Sequence, residues 1–524
     1  MRSIVYLIGA GPGDPGLITV RGLQCLTSAG VVVHDHLVHE RLLRHARPDA
    51  ELIDVGVTAP QSLEQEAICY LLAEKAREGK IVARLKWGDP YLFDRGGSEA
   101  LFLHEQGVRF EVVPGVPALI GIPSYAGISI TYAGGGDTVT LIRGHEDGGK
   151  TTPPVLDFDS LARLDGTLLC YIGAEQLPEF LAKLVAHGRS PDEAAALVYE
   201  GTLPTQETIA GTIEDIAKAA KRSPDRRPAV LIVGRVVALR DHLRWFDERP
   251  LFGKRVLVTR PREQAAELVE RLESMGADAV EAPMIRMEPP DDYGPLDAAC
   301  AQVGTFDWII FSSAVAVDAL LDRLLKSPLD LRALGGVKLC VVGPATAERL
   351  ARHGLKVDLT PSEYRAEAVI QAISQTTDVR GLNILLPHAD IGREVIADEL
   401  RRQGAHVTEV VAYRTVATEP EREGEPDVYH MLLERRLDVV TFTSPSAVRS
   451  FVGALGREPA ADLLQTTVVA AIGPVTAKAA AQHGIQTSIV PETYTVPALV
   501  DAIAEYFRRP EPRRAPSLEP RAPK

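Results

Sequence analysis

Cysteine is scarce and scattered. Cys25, Cys69, Cys170, Cys300 and Cys340 are five in 524 residues, and no two form a C-x-x-C pair. An odd, dispersed set argues against a disulfide framework or a thiolate metal cluster and fits a reducing compartment. Long apolar runs are missing too: no stretch of about 18 apolar residues occurs, so no membrane span is expected. Positive charge is in deficit, with 57 Lys and Arg against 71 Asp and Glu and a formal net charge of -14. That balance argues against nucleic acid as the main partner. The 13 histidines show no ligand-like H-x-x-x-H spacing, and His388 and His430 read as surface groups rather than metal ligands. The opening MRSIVYLIGAGPGDPG holds too short an apolar run for a signal peptide and breaks into a Gly-Pro loop. The expectation is a cytoplasmic protein without metal, membrane or nucleic-acid partner.

What is present is an ordinary soluble composition, 45% apolar and 24% charged. The length suits three or four domains at roughly 150 residues each. Apolar β-rich runs alternate with helical patterns from end to end: Ile4 to Ile8, Ile81 to Leu85, Thr167 to Tyr171, Val230 to Val233, Arg255 to Thr259 and Trp308 to Phe311. This alternation predicts α/β domains around largely parallel sheets. The segment WFDERPLFGK, Trp245 to Lys254, separates two such series and places the main boundary near residue 248. The second half repeats itself. Phe306 to Leu321 resembles Leu437 to Val452, Val337 to Leu355 resembles Thr467 to Ile485, and Pro361 to Ile373 resembles Pro491 to Ile503. Matched blocks in one order predict two similar α/β lobes facing a cleft. The Pro- and charge-rich tail from Arg508 to Lys524 is expected to be disordered.

In the first half, VYLIGAGPGDPGLIT runs from a strand into a loop holding Gly9, Gly11, Gly13 and Gly16. A dinucleotide-binding reading would take Asp35 as its acid and make the chain a nicotinamide-dependent reductase, but the glycine after Gly11 comes one residue too early. Further motifs accompany the loop: HDHLV at His34, RLKWGDPYLFDRGG at Arg84, EVVPGVPALIG at Glu111, YAGI at Tyr125 and EGTLPTQ at Glu200. Together they resemble the uroporphyrinogen-III C-methyltransferases of the tetrapyrrole methylase family over about residues 3 to 248. The resemblance implies two α/β subdomains, about 1–113 and 114–248, with S-adenosylmethionine bound between them. The donor is a sulfonium without phosphate, so glycine and proline loops serve by close backbone approach rather than by cradling phosphate. The donor positions implied are Pro12, Trp87, Gly88, Asp89, Leu92, Pro117, Ala118, Ile172 and Gly201, with Asp35 as the base. A homodimer through this half is also implied. The pattern departs from the family at Val57, Trp87, Tyr132 and Ala133, where two or three polar or cationic groups are lost and a bulky ring is gained. An altered or degenerate methylase half beside an active second half is the alternative.

The second half carries GKRVLVTRP, GADAVEAPMI, WIIFSSAVAV, VVGPATA, LLPHAD, VVAYRTV, TFTSPSAV and AIGPVTA in order. These blocks resemble uroporphyrinogen-III synthase over residues 249–507, a fold of two α/β lobes joined by a two-stranded connection. The implied substrate is hydroxymethylbilane, a polyanion. An acidic protein can bind it through helix N-termini and small hydroxyls. Thr259, Arg260, Ser312, Ser313, Thr443, Ser444, Ser446 and Thr476 stand where strands hand over to helices and are expected to face the cleft; plain N-capping is the alternative for each hydroxyl. Tyr413 matches the family's tyrosine positioned to help the substrate hydroxyl leave; a tyrosine packed on an inter-lobe strand is the alternative. The joint reading is a bifunctional enzyme that closes the macrocycle and methylates it to precorrin-2, towards sirohaem or cobalamin. Dehydrogenation and iron insertion are expected to lie elsewhere.

Overall fold

A computed structural model describes residues 3–56, 63–133, 135, 137–144, 155–173, 175–222, 227, 229–361, 366–390, 395–417 and 426–508. The chain divides into two compact units. The first is Met1–Val256 with Glu270–Ala279 and the stretch from Ile503 on; the second is Leu257–Val269 with Val280–Ala502. Val57 and the tail beyond Arg508 lie outside the described residues.

The first unit holds two sheets. β1 (Ile4–Gly9), β2 (Val31–His34), β3 (Glu51–Asp54), β4 (Ile81–Lys86) and β5 (Phe110–Val113) lie in the order β3-β2-β4-β1-β5, every pair parallel. The inner strands read as β-branched runs because helices cover both faces: Val5, Leu7 and Ile8 are wholly buried. β6 (Val139–Arg143), β7 (Thr167–Ile172), β8 (Ala194–Tyr199), β9 (Glu207–Thr212) and β10 (Ala229–Val233) form the second sheet in the order β6-β7-β10-β8-β9. It is mixed, with β10 antiparallel to both neighbours. The segment after it is packed, not slack. Tyr125 meets Trp245 and Phe246 at centroid distances of 5.1 and 4.8 Å, Phe246 meets Phe252 at 5.3 Å, and Arg249 lies over two of these rings.

The remaining strands are β11 (Arg255–Val258), β12 (Asp278–Glu281), β13 (Ile285–Glu288), β14 (Trp308–Phe311), β15 (Lys338–Val341), β16 (Asn383–Ala389), β17 (His406–Ala417), β18 (Val439–Phe442) and β19 (Val468–Ala471). Two sheets result, β12-β11-β18-β19 and β13-β17-β16-β14-β15. The antiparallel pair β13 and β17, Ile285 opposite Ala417, carries the chain between them. The sequence repeat is physical. Cys340 bridges Leu359 and, in the matching block, Ala470 bridges Ile489. A further pair of blocks, Gly253–Ala282 and Gly381–Val410, escaped the sequence comparison. Its marker is conformational: Gly276 and Gly404 both sit at φ +93° just before the strand, where a side chain would be strained. β12-β11-β18-β19 and β17-β16-β14-β15 are therefore the same arrangement built twice.

Candidate functional site

β1, β4 and β5 are parallel neighbours, so their carboxyl ends share one edge, the place where open parallel sheets bind ligands. Three loops meet there through glycine. A Cβ on Gly115 would lie 2.3 Å from the Gly88 carbonyl oxygen and 2.6 Å from the Gly9 Cα, so only bare backbone fits. Gly11 and Gly88 exchange two amide–carbonyl bonds, 3.2 and 2.9 Å. Asp89 ties the third loop in, its carboxylate accepting from the amides of Tyr91 (2.9 Å) and Gly115 (3.0 Å). Gly88 is different. A Cβ there would find the Ala118 nitrogen at 3.6 Å, the Pro117 Cα at 3.9 Å and the Tyr171 hydroxyl at 4.0 Å. That is ordinary van der Waals contact rather than a clash. Gly121 abuts the Pro12 ring, and the Trp87 indole donates to the Pro12 carbonyl at 3.0 Å. Pro12, Trp87, Gly88, Asp89, Pro117 and Ala118 thus come together, with Leu92 bonded back to Asp89.

Gly201 belongs to a strained turn. Phe93, Glu200 and Thr202 carry φ of 54°, 45° and 73°, a left-handed region that residues with side chains seldom occupy outside functional sites. Thr202 holds the turn to the glycine loop by accepting the Asp14 amide at 3.0 Å. Ile172 is placed otherwise than expected: its side chain lies in the core beneath the helix Leu177–Ala186, so only its backbone is available. Its neighbour Tyr171 reaches the site instead, its ring 5.7 Å from Trp87 and 6.2 Å from Phe93. Burial raises the phenol's pKa, only partly offset by the amides of Leu119 and Ala118, so it stays protonated. Tyr171, Thr202 and Gly115 were not singled out as site residues because nothing in spacing marks them.

Asp35 follows β2. Its carboxylate takes the Arg84 guanidinium at 2.5 Å and the Trp87 amide at 3.4 Å. Burial pushes its pKa up, but Arg84, Lys86 and these bonds outweigh that, and the net shift is downward. A carboxylate so engaged is not free for a ribose, and a 3-10 turn, Pro15–Leu17, follows the glycine loop where a dinucleotide fold starts its helix. The reductase reading fails on both counts. Tyr132 is exposed. Ala133 is exposed too, and the Tyr132 carbonyl accepts the Gly135 amide at 2.8 Å.

In the second unit Ser313 and Ser444 are both N-caps, accepting from Ala316 (3.2 Å) and Ala447 (3.1 Å). They do more than cap. Ser313 lies 3.1 Å from the Tyr413 hydroxyl, and Ser444 lies 2.9 Å from Ser446. Burial raises the Tyr413 pKa against the opposing Ser313 bond. Ser312 is exposed and Thr443 half-buried at the same strand ends. Two residues are placed otherwise than expected. Thr259 is wholly buried and donates to the Thr441 carbonyl at 2.7 Å. Thr476 is buried inside its helix. Arg260 is half-buried and bonded to Gln264 at 3.4 Å, and burial lowers its pKa against the opposing Glu267 charge. His388 is half-buried and bonded to a carbonyl, and His430 is exposed and paired with Asp427. Among the described residues no group of three or more His, Cys, Asp and Glu could hold a metal ion, and no helix is long and apolar enough to cross a membrane.

Comparison with known proteins gives both halves a class. Residues 4–217 match the family model of tetrapyrrole (corrin/porphyrin) methylases, and residues 266–501 match uroporphyrinogen-III synthase HemD. The porphyrin biosynthesis protein HemD of Ruminiclostridium josui is 34% identical over 506 residues, 96% of this chain and 98% of that one. The uroporphyrinogen-III C-methyltransferase of Bacillus subtilis is 36% identical over 370 residues, 70% of this chain and 75% of that one. A solved uroporphyrin-III C-methyltransferase of Thermus thermophilus, complexed with S-adenyl homocysteine, is 37% identical, with a TM-score of 0.39, covering 45% of this chain and 99% of that one. Fold and sites together define a two-enzyme chain of tetrapyrrole synthesis, a methylase followed by a cyclase. The protein belongs to the family in which a tetrapyrrole methylase is fused to uroporphyrinogen-III synthase.

Proposed function

We propose that the second half closes hydroxymethylbilane to uroporphyrinogen III with inversion of ring D, and that the first half methylates this product at two pyrrole carbons to precorrin-2. S-adenosylmethionine supplies the methyl group. The observation that carries the methylase reading is the meeting of three glycine-bared backbones at Gly9, Gly88 and Gly115, beside Pro117, Ala118 and the Tyr171 hydroxyl. A donor without phosphate needs such backbone approach. Pro12, Trp87, Asp89, Leu92, Ile172 (by its backbone) and Gly201 complete the wall, and Asp35 meets the acceptor as a fixed anion.

For the cyclase, the Tyr413 phenol stays protonated at neutral pH and can donate to the departing hydroxyl, with Ser313 holding its orientation. Arg260, half-buried at the strand end and hydrogen-bonded to Gln264, suits a substrate carboxylate. Ser312, Thr443, Ser444 and Ser446 offer hydroxyls for the rest. A cytoplasmic location and pairing of two chains through the first half belong to the same reading.

One coupled assay tests both steps. Hydroxymethylbilane is supplied with and without S-adenosylmethionine, and products are separated by mass and isomer type. Uroporphyrinogen III without donor and a dimethylated product with it are expected. Uroporphyrinogen I, the product of unassisted closure, would refute the cyclase, and an unmethylated product with donor present would refute the methylase.

A further inference from the structure

Arg84 and Lys86 are two residues apart on β4, so they project from the same face of the first sheet, and both are almost completely buried. Three carboxylates share these two cations. Asp35 meets Arg84 at 2.5 Å, Glu99 meets Arg84 at 3.3 Å and Lys86 at 3.1 Å, and Asp94 meets Lys86 at 3.1 Å. The cluster is one positive charge short. At low local dielectric a surplus anion is relieved by a proton, and the partners decide which carboxylate takes it. Glu99 has both cations and Gln65, and its pKa is lowered against the effect of burial. Asp35 has Arg84 and the Trp87 amide. Asp94 has a share of Lys86 and the adjoining Arg95 amide. Burial first, and then the neighbouring Asp35 charge, raise it to about 6 against the pull of Lys86. Of the other titratable groups nearby, Asp89 is engaged by two amides, and Tyr171 is a neutral phenol.

Access removes Glu99 and leaves two carboxylates. The Glu99 side chain is 0% exposed, against 28% for Asp35 and 24% for Asp94. Glu99 therefore cannot trade a proton with a bound molecule or with water, and Asp94 can. Asp94 also follows Phe93, whose strained backbone turns it in beside Tyr171 and the donor wall.

Methyl transfer releases a proton. The sulfonium carbon–sulfur bond breaks with its electron pair left on sulfur, and a pyrrole π pair forms the new carbon–carbon bond. The pyrrole ring is left cationic until an N–H or adjacent C–H proton departs. A base works best with a pKa near the working pH, which the strongly paired Asp35 lacks. We propose that Asp94 accepts this proton, while Asp35 stays an anion that orients the tetrapyrrole. The assignment rests on the methylase reading above.

The test compares the full chain with Asp94→Asn, Asp94→Glu and Asp35→Asn, measuring labelled methyl transfer to uroporphyrinogen III from pH 5 to 9 and titrating S-adenosylhomocysteine. Asp94→Asn is expected to bind S-adenosylhomocysteine within threefold of the wild type, to keep KM within threefold and to lose about 100-fold in kcat. The acidic limb of kcat near pH 6 should vanish in Asp94→Asn, persist in Asp94→Glu, and move to lower pH in Asp35→Asn, where the neighbouring charge that raises Asp94 is gone. A wild-type kcat in Asp94→Asn, an acidic limb that survives there but disappears in Asp35→Asn, or loss of S-adenosylhomocysteine binding in step with kcat each overturns the proposal. A wild-type chain that binds S-adenosylhomocysteine yet transfers no methyl overturns the methylase reading and the role of Asp94 with it.

Discussion

Replacing Gly115 by alanine should disable the methylase half through geometry alone. The new Cβ would sit 2.3 Å from the Gly88 carbonyl oxygen and 2.6 Å from the Gly9 Cα. Ordinary contact needs about 3.4–4 Å, so three backbones must part by about an ångström, and no flexible side chain is present to yield. The two Gly11–Gly88 bonds, at 2.9 and 3.2 Å, and the Asp89–Gly115 bond, at 3.0 Å, stretch out of range together. Overpacking costs about 1–3 kcal/mol and each lost hydrogen bond about 1 kcal/mol. Since these terms share one relaxation, a total of about 2–4 kcal/mol is expected. Donor affinity should fall about 30- to 1000-fold if that distortion is relieved only in the donor-free state. Titration calorimetry with S-adenosylhomocysteine reads the affinity, and thermal unfolding reads the stability. Gly453→Ala is the control, because an added Cβ there meets nothing within 4 Å in the last turn of the helix Pro445–Leu455, and it should stabilise by up to about 0.5–1 kcal/mol. A Gly115→Ala chain with unchanged melting and donor affinity within threefold would refute the close-approach argument.

Thr259→Val should cost about 1–2 kcal/mol of stability by orphaning the Thr441 carbonyl while cyclase kcat/KM stays within twofold; a selective rise in KM would return Thr259 to the substrate site. Tyr413→Phe should slow cyclisation about 10- to 100-fold with stability changed by less than about 1 kcal/mol, read from the ratio of isomer III to isomer I. Arg260→Gln should raise KM for hydroxymethylbilane about tenfold, with a weaker salt dependence than wild type. Asp94 also predicts a stability profile. It binds its proton near pH 6 when folded and near 3.8 when unfolded, so stability falls as pH rises through that window. The loss reaches on the order of 3 kcal/mol above it. Asp94→Asn removes the penalty, so its first-half melting should exceed wild type by several degrees at pH 8, with the gap closing towards pH 4; equal melting at pH 8 would contradict the charge count.

Strands were legible because their β-branched, doubly buried runs have no other use. β1, β4, β7, β10, β11 and β14 end within a residue of the runs read from the sequence. Donor loops were legible through glycine and proline, whose backbone demands are printed in the residue type. Side-chain direction was not. Ile172 and Tyr171 are adjacent on β7 and face opposite ways, and the choice between them depends on which face the helix Leu177–Ala186 covers. Depth at a strand end was equally hidden: Thr259 and Ser313 occupy similar turns, but only Ser313 emerges to meet Tyr413. The charge cluster joins residues 35, 84, 86, 94 and 99, an association created by the fold and absent from any local pattern.

The doubled sheets of the second half have an unusual parentage. One copy of the repeat supplies β11, β12, β14 and β15, and the other supplies β16 to β19. Yet β11 and β12 pair with β18 and β19, while β14 and β15 pair with β16 and β17. The copies have traded their later halves, as partners do in a domain-swapped dimer, here along a single chain. Neither copy can complete a sheet from its own strands, so in a fragment ending before β16 the strands β11 to β15 should stay unfolded, and an ancestral single copy would have needed a twin.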